Sequence, residues 1–292
     1  MEDLDHTIKW SFIEYTKEGR SIFINNRQLR HFLKPLLDMK GSEQILDIGC
    51  GIGTLCKLVG PLLDTGKMIG IDLDPALVNY GNQHWARRPN FHLEVGDATN
   101  IAYPDGSFDL VVSMGLLPNV ARPETVMDEV RRVLTRPGKF LEVHVDMANY
   151  VILPQEDIFE RFYHDLIRGM AALGVDVQLT RFLAYCDAQD LPVEEFTFTM
   201  EYKVQITDKF IDLVETGMAT YHRNDRLLQE VFDFNFQFLK HVGWTAADLW
   251  AFITREYSPE AHLAFLKAHR GAEYYRKLPI KIYRVMLPWV DG

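Results

Sequence analysis

Three short stretches of the sequence place glycine or acidic residues at the ends of apolar runs. The first, ILDIGCGIGTL at residues 45–55, has Gly49, Gly51 and Gly53 on alternate positions behind Asp47. Glycine costs conformational entropy in regular structure, so three this close indicate a turn that needs their backbone freedom. A turn between a strand and a helix leaves backbone N–H groups pointing outward. The stretch therefore predicts a cradle that a polar ligand can approach without meeting a Cβ atom.

The second stretch is GIDLDPALV at residues 70–78, in which Asp72 ends an apolar run. Asp74 and Pro75 have the residue types that begin a helix, which would leave Asp72 free for another role. A carboxylate at this position can accept hydrogen bonds from the two hydroxyls of a ribose, and bonds to a charged acceptor are the stronger class. Asp72 is therefore predicted to bind a ribose.

The third stretch, LEVGDATNI at residues 93–101, places Asp97 just beyond another apolar run. A carboxylate beside an exposed backbone N–H, here that of Ala98, can bind the amino and ring-nitrogen edge of adenine. The alternative is a turn residue after Gly96. Together the three stretches predict a site for an adenosine-containing ligand.

The glycine spacing argues against a nicotinamide cofactor. The dinucleotide fingerprint G-x-G-x-x-G would begin at Gly49 and need a glycine at position 54, where the chain has Thr54. The third glycine is Gly53 instead, and Asp47 is foreign to that fingerprint. A nicotinamide-dependent oxidoreductase is therefore the less favoured interpretation.

The stretches lie within an alternation of short apolar strands and helical segments. Such an alternation predicts an α/β fold, with a parallel sheet covered by helices on both faces. The predicted strands are residues 44–48, 67–73, 91–95, 108–113 and 139–145, followed by 194–206 and 278–287. Pro35 predicts a kink or break in a helical N-terminal segment. The predicted organisation is an N-terminal helical cap (1–40), a core (41–150) and the remainder (151–292), which contains a helical insertion at about 207–275.

Five motifs in this order resemble the class I S-adenosylmethionine-dependent methyltransferases, in the style of the small-molecule group that includes the ubiquinone and menaquinone enzymes. They are ILDIGCGIGTL, GIDLDPALV, LEVGDATNI, FDLVVSMGLLPNV and EVRRVLTRPGKFLEV, and the resemblance covers residues 43–146. It implies a Rossmann-like, seven-stranded, mostly parallel sheet whose last strand is antiparallel. It also implies S-adenosylmethionine as the cofactor.

The resemblance implies roles for individual residues as well. By resemblance, the methionine part of the cofactor is lined by Asp47, Gly49, Cys50, Gly51 and Gly53. Asp72 and Leu73 hold the ribose and the adenine, and Asp97 and Ala98 bind the adenine edge. Ser113 and Met114 lie on the underside of the cofactor. Cys50 enters as a small residue of the turn and not as a redox group.

Further residues have two open interpretations each. His144 and Asp146 end the fifth strand on alternate positions, so they face the same side. His144 could take a proton from an acceptor, or could be a hydrogen-bonded histidine inside the sheet. His6, Tyr15 and Arg27 could close over the cofactor, with Arg27 pairing its carboxylate; a solvated arginine on a helix face is the alternative.

Composition limits the class of partner. The 292 residues carry a net charge of −10, which argues against nucleic acid because phosphate contacts need clustered Lys and Arg. No apolar run approaches the roughly 18 residues of a membrane span. The three cysteines form neither a metal-ligand pattern nor a disulfide framework, which predicts a cytoplasmic protein without a metal. The sequence leaves the oligomeric state open.

The predicted function is methyl transfer from S-adenosylmethionine to a small-molecule acceptor, with the helical insertion as the lid of the acceptor pocket. The alternative is a non-catalytic module that binds S-adenosylmethionine or S-adenosylhomocysteine for sensing or partner assembly. The aromatic residues of the C-terminal third are either core or part of an acceptor pocket: Tyr202, Tyr221, Trp244, Trp250, Tyr274 and Tyr275. The stretch VFDFNFQF at 231–238 is predicted to be helical in spite of its alternation, because its flanks are helical.

Overall fold

The structure is a computed structural model that describes residues 8–9, 12–24, 26–85, 90–222 and 224–287. Two compact units divide the chain. Unit 1 consists of the described residues of Met1–Tyr15, Asp146–Val177 and Thr199–Pro279, and unit 2 of those of Thr16–Val145, Gln178–Phe198 and Ile280–Gly292. The cofactor motifs all lie in unit 2.

A mostly parallel sheet forms the centre of unit 2, as the alternation predicts. Its strands are β1 (Gln44–Ile48), β2 (Lys67–Asp72), β3 (Phe91–Val95), β4 (Phe108–Met114) and β5 (Leu134–Val145). They lie in the order β3-β2-β1-β4-β5, all parallel. Three further strands are β6 (Val151–Leu153), β7 (Val193–Gln205) and β8 (Glu273–Met286). The last strand, β8, runs antiparallel to β5, with Lys281 opposite His144.

The fold class is confirmed, but the sheet has one strand more than expected. Among the described strands, β8 pairs with β5, β6 and β7, which makes the sheet eight-stranded. The strand that the sequence did not predict is β6, which pairs antiparallel with residues 275–277 of β8. Three residues are too few for an alternation of apolar and polar side chains to be recognised.

Helices connect these strands. In chain order they are α1 (Ile13–Ile24), α2 (Arg27–Leu37), α3 (Thr54–Val59), α4 (Pro75–Trp85), α5 (Pro123–Val133), α6 (Asp157–Ala172), α7 (Thr180–Ala188), α8 (Asp208–His222), α9 (Asp225–Leu239), α10 (Ala246–Ala251) and α11 (Pro259–Ala268). The expected break at Pro35 is wrong, because α2 continues to Leu37. Pro35 lies in the last turn, where a missing N–H donor removes only one bond before the helix ends. None of the described helices has the length and apolarity needed to cross a membrane.

Two helices of unit 1, α9 and α10, begin at side chains that cap them. Asn224 accepts a hydrogen bond from the Leu227 N–H at the start of α9, and Thr245 and Asp248 form a reciprocal capping box at α10. The stretch at 231–238 is helical, as predicted, and contributes Phe232 and Phe238 to an aromatic core. A π-helical turn, Phe252–Glu256, follows α10.

Candidate cofactor site

The glycine turn after β1 has the backbone conformation that its sequence predicts. Gly49, Gly51 and Gly53 have φ angles of +66°, +54° and +82°, in the left-handed region that favours glycine. A Cβ atom on Gly49 would lie 2.8 Å from the Cβ of Leu116, whereas one on Gly51 would meet no atom within 4 Å. Gly49 is therefore needed for packing, and Gly51 borders open space.

Cys50 has a structural explanation in the same turn. Its N–H donates to the carbonyl of Ile71 at 3.0 Å, which ties the turn to β2. Its side chain packs so closely on Gly70 that a Cβ there would lie 2.8 Å from the Cys50 Cβ. Burial raises the pKa of the Cys50 thiol well above its ordinary value, so the nucleophilic thiolate is disfavoured.

Asp72 is not free, contrary to the expectation from Asp74. The Gly51 N–H donates to Asp72 Oδ2 at 2.8 Å, and the Asp74 N–H donates to Oδ1 at 2.9 Å. Asp74 does begin α4, by accepting the Ala76 N–H at 2.8 Å. Burial raises the pKa of Asp72, and the two N–H donors oppose that shift. Each carboxylate oxygen has a second lone pair, so Asp72 can hold the turn and still accept a ligand hydroxyl.

Two exposed apolar side chains lie at the same edge of the sheet. Leu73 is 61% exposed and Val95 is 58% exposed. Val95 pairs in register with Asp72 across β2 and β3. Large aliphatic side chains that open to solvent beside a carboxylate offer an apolar surface on which a flat aromatic ring can lie. Sequence reasoning found Leu73 and missed Val95, which reads as an ordinary strand residue.

Asp97 forms a turn and retains one open oxygen. Its Oδ1 accepts both the N–H and the hydroxyl of Thr99, each at 2.7 Å. No hydrogen bond from the described residues reaches Oδ2. Ala98 is buried. The turn-residue interpretation and the adenine interpretation are therefore compatible.

Asp47 is a buried acid under the glycine turn. It is 1% exposed, and its Oδ2 accepts the Cys56 thiol at 3.5 Å. Its Oδ1 has no hydrogen-bond partner among the described residues. Burial, with a smaller contribution from the nearby Asp72 carboxyl, raises the pKa of Asp47 to about 8. An unsatisfied, buried carboxyl oxygen is costly unless a cation or a donor approaches it.

Glu142 is a second buried acid, which sequence reasoning missed. Paired in register with Ser113, it accepts the Gly115 N–H on Oε1 at 3.3 Å. Its Oε2 lacks a hydrogen-bond partner among the described residues. Burial raises the pKa of Glu142 to about 8. The available signal was an acidic residue inside the apolar strand FLEVHV, since glutamate is seldom fully buried.

Arg20 is the guanidinium that faces these acids. Its Nη2 lies 3.5 Å from the carbonyl oxygen of Met114, and its charge lowers the pKa of both Asp47 and Glu142. Arg27, which the sequence favoured for the cofactor carboxylate, is exposed at the start of α2. The sequence around Arg20 and around Arg27 contains no local feature that shows which of the two arginines faces the buried acids.

The remaining predicted residues are placed as follows. His144 is buried on β5. Asp146 belongs to unit 1, where its Oδ2 accepts the Asn149 side chain at 2.8 Å and its N–H donates to Pro279. Tyr15, also in unit 1, stacks on Phe234 with ring centres 4.2 Å apart. His6 lies outside the described residues.

The residues of unit 2 fit an adenosine ligand that carries positive charge. A glycine turn borders open space, a carboxylate is held at the end of β2, and an exposed leucine lies beside it. Two buried carboxyls each have an oxygen without a partner among the described residues. In its ionised form such a carboxyl attracts a cationic ligand and repels a phosphate.

Comparison with known proteins agrees with this arrangement. A family model described as a methyltransferase domain matches residues 46–141. The demethylmenaquinone methyltransferase of Lactobacillus johnsonii is 30% identical over 58% of this chain and 70% of its own length. That of Paenarthrobacter aurescens is 29% identical over 52% of this chain and 56% of its own. An uncharacterized transposon protein of Streptomyces fradiae is 35% identical over 38% of this chain and 32% of its own. The chain thus spans about half the length, or less, of the latter two.

Solved structures share the fold. A phosphoethanolamine N-methyltransferase of Haemonchus contortus, in complex with phosphomonomethylethanolamine and S-adenosylhomocysteine, matches with a TM-score of 0.54 and 14% identity, over 98% of this chain and 60% of that one. The YcgJ protein of Bacillus subtilis matches with a TM-score of 0.50 and 20% identity, over 90% of this chain and all of that one. At these identities the likeness concerns the fold alone.

The chain belongs to the class I S-adenosylmethionine-dependent methyltransferases. S-adenosylmethionine is the cofactor of that class. Within it, the relatives named above include two demethylmenaquinone methyltransferases, to which this chain is similar over a little more than half of its length.

Proposed function

We propose that this protein transfers the methyl group of S-adenosylmethionine to a small-molecule acceptor. The proposal rests on a hydrogen bond between the glycine turn and a carboxylate. Asp72 accepts the Gly51 N–H at 2.8 Å, and Gly51 borders open space. The turn and the ribose-binding carboxylate are thus held together beside room for a ligand. The acceptor stays open, because one fold serves many acceptors.

The reaction requires little acid–base chemistry from the protein. A lone pair of the acceptor attacks the methyl carbon, the bond between carbon and sulfur breaks, and its electron pair stays on sulfur as S-adenosylhomocysteine forms. The methyl group is already activated, so alignment of donor and acceptor is the main contribution, worth up to about 7–11 kcal/mol in good intramolecular models. A base is needed only where the acceptor must lose a proton, and His144 on β5 is the residue proposed for that step.

We assign the donor contacts as follows. Asp72 binds the ribose hydroxyls through the lone pairs that the Gly51 and Asp74 N–H groups leave open. Leu73 lies under the adenine, and Asp97 Oδ2 with the Ala98 N–H binds its edge. The glycine turn and Asp47 face the methionine part, whose ammonium group suits the unpartnered Asp47 Oδ1. Arg20 takes the carboxylate role for which Arg27 was predicted, while Ser113 and Met114 support the donor from below.

Calorimetry tests the donor site directly. We expect S-adenosylmethionine and S-adenosylhomocysteine to bind at micromolar concentration, and Asp72→Ala to weaken binding by about 1–3 kcal/mol, the usual cost of a lost charged hydrogen-bond partner. Asp74→Ala is the matched control. It removes the cap of α4, at about 0.5–2 kcal/mol of stability, and should leave donor affinity within a few-fold of wild type. Undetectable binding of both compounds by the wild type would refute the proposal.

Turnover separates the enzyme from the non-catalytic alternative. Formation of S-adenosylhomocysteine in the presence of a panel of quinols, phenols and amines is the readout. Neither the site nor the comparisons favour a module that only binds the cofactor. His144→Ala with undiminished turnover on an accepted substrate would remove His144 as a base.

A further inference from the structure

Unit 1 contains a group of hydrogen-bond donors that the donor site does not use. Tyr274 and Arg276 lie two residues apart on β8, so they share one face of that strand. The Arg276 Nε donates to the Tyr150 hydroxyl at 3.1 Å, and the guanidinium carbon lies 5.8 Å from the centre of the Tyr150 ring. Tyr257 completes the group: Tyr150, Tyr274 and Arg276 all act electrostatically on its hydroxyl. We call these four residues the Arg276 cluster.

Several donors of the Arg276 cluster lack an acceptor within the described part of the chain. The hydroxyls of Tyr257 and Tyr274 make no hydrogen bond with the described residues, and neither is sealed from solvent. Arg276 forms no ion pair with a carboxylate of the described part of the chain, and only its Nε has a hydrogen-bond acceptor there. Burial raises the pKa of Tyr257 and Tyr274, which keeps both hydroxyls protonated and able to donate.

One acid, Glu156, acts electrostatically on Tyr257 and Tyr274. Its Oε2 lies 3.0 Å from Nδ1 of the buried His262, so this carboxylate already has a hydrogen-bond partner outside the cluster. Arg276 is the one member of the cluster that carries a positive charge.

The backbone holds Tyr257 in place by an uncommon feature. The π-helical turn Phe252–Glu256 ends at Tyr257, whose N–H donates to the Phe252 carbonyl at 2.8 Å. Its ring stacks on Phe252 with centres 5.4 Å apart and lies 5.2 Å from Phe159. Single π-helical turns are rare and are frequently found at functional sites.

We propose that the Arg276 cluster is a binding site for the anionic group of a small molecule, either a carboxylate or a phosphate monoester. A guanidinium binds either group through two parallel N–H bonds, and the tyrosine hydroxyls supply further donors. The inference concerns unit 1 alone and stands independently of the proposed methyl transfer.

Titration of the full chain with inorganic phosphate and with benzoate tests the site. Both calorimetric titrations are run with saturating S-adenosylhomocysteine. We expect saturable binding of at least one probe, weakened about tenfold or more by Arg276→Gln and several-fold by Tyr257→Phe, which removes only the hydroxyl. Binding of phosphate alone or of benzoate alone supports the proposal and identifies the anion.

Arg270→Gln is the matched control, because Arg270 is an exposed arginine of the same unit outside the cluster, where it pairs with Asp208. It should bind the probes as the wild type does. Equal losses in Arg270→Gln and Arg276→Gln would mean general attraction to surface charge and overturn the proposal, as would unchanged affinity in Arg276→Gln or no saturable binding by the wild type. The affinity for S-adenosylhomocysteine, measured separately, reports on the donor site, so failure of one proposal is distinguishable from failure of the other.

Discussion

Replacing Glu142 by glutamine should change how the stability of the protein depends on pH. Glu142 is fully buried with one unpartnered oxygen, and its pKa rises from an ordinary 4.5 to about 8 in the folded protein. Between these values the folded state holds a proton that the unfolded chain releases. Because the folded state then binds more protons than the unfolded one, the free energy of unfolding falls as pH rises.

The size of the effect follows from the pKa shift. Each pKa unit corresponds to about 1.4 kcal/mol, so the penalty from Glu142 grows by about 3 kcal/mol between pH 5.5 and 8. Glutamine is neutral throughout and can still accept the Gly115 N–H through its amide oxygen. Wild type should therefore lose about 3 kcal/mol more than Glu142→Gln over this interval. At about 2–4 °C per kcal/mol, this is a difference of roughly 6–12 °C in Tm.

Thermal unfolding followed by circular dichroism at pH 5.5 and pH 8 measures this difference. The protein is kept free of S-adenosylmethionine, since a ligand that binds the folded state adds its own stabilisation. Glu124→Gln, at an exposed position of unit 2, is the control and should follow the wild type. Parallel loss of stability in wild type and Glu142→Gln would show that Glu142 does not hold a proton in the folded protein.

Three further predictions concern the donor site. Gly51→Ala should fold, with about 1–2 kcal/mol of strain from the left-handed backbone conformation. It should bind S-adenosylhomocysteine poorly, because the added methyl group enters the open space beside the turn. Gly49→Ala should mainly lose stability, because its added methyl group meets Leu116. Thermal unfolding and calorimetry separate the two, and normal binding by Gly51→Ala would contradict the assignment. Arg20→Gln should weaken donor binding about tenfold and Arg27→Gln little; the reverse order would restore the sequence-based assignment. Affinity for S-adenosylmethionine should rise from pH 6.5 to 8.5 as Asp47, with a pKa of about 8, ionises; a flat profile would exclude that role.

The central sheet was predictable because β1 and β4 are buried on both faces and form nearly continuous apolar runs in the sequence. Strands β1 and β3 have the predicted limits, whereas β5 begins at Leu134, five residues earlier than predicted. Those added residues contain Pro137 and Gly138, which are typical of a turn and concealed the extension. The capping residues of α9 and α10 were also predictable from the sequence, because a cap depends on a local hydrogen bond.

Contacts between segments distant in sequence were not predictable in the same way. The local sequence does not distinguish Arg20 from Arg27. Only the folded structure brings Arg20 close to the carbonyl of Met114. Asp72 shows the opposite case. Its place at the end of a strand was predictable, but its hydrogen bond from the Gly51 N–H was not, because Gly51 follows a different strand.

The double attachment of Asp72 has a thermodynamic consequence for the ligand. The carboxylate joins the glycine turn after β1 to the loop after β2 within the protein itself, through the Gly51 and Asp74 N–H groups. Both loops are therefore ordered when the chain folds, so the donor does not have to order them when it binds. The conformational entropy of these loops does not reduce the affinity for the donor. A preorganised contact of this kind strengthens affinity without adding a single interaction to the bound state.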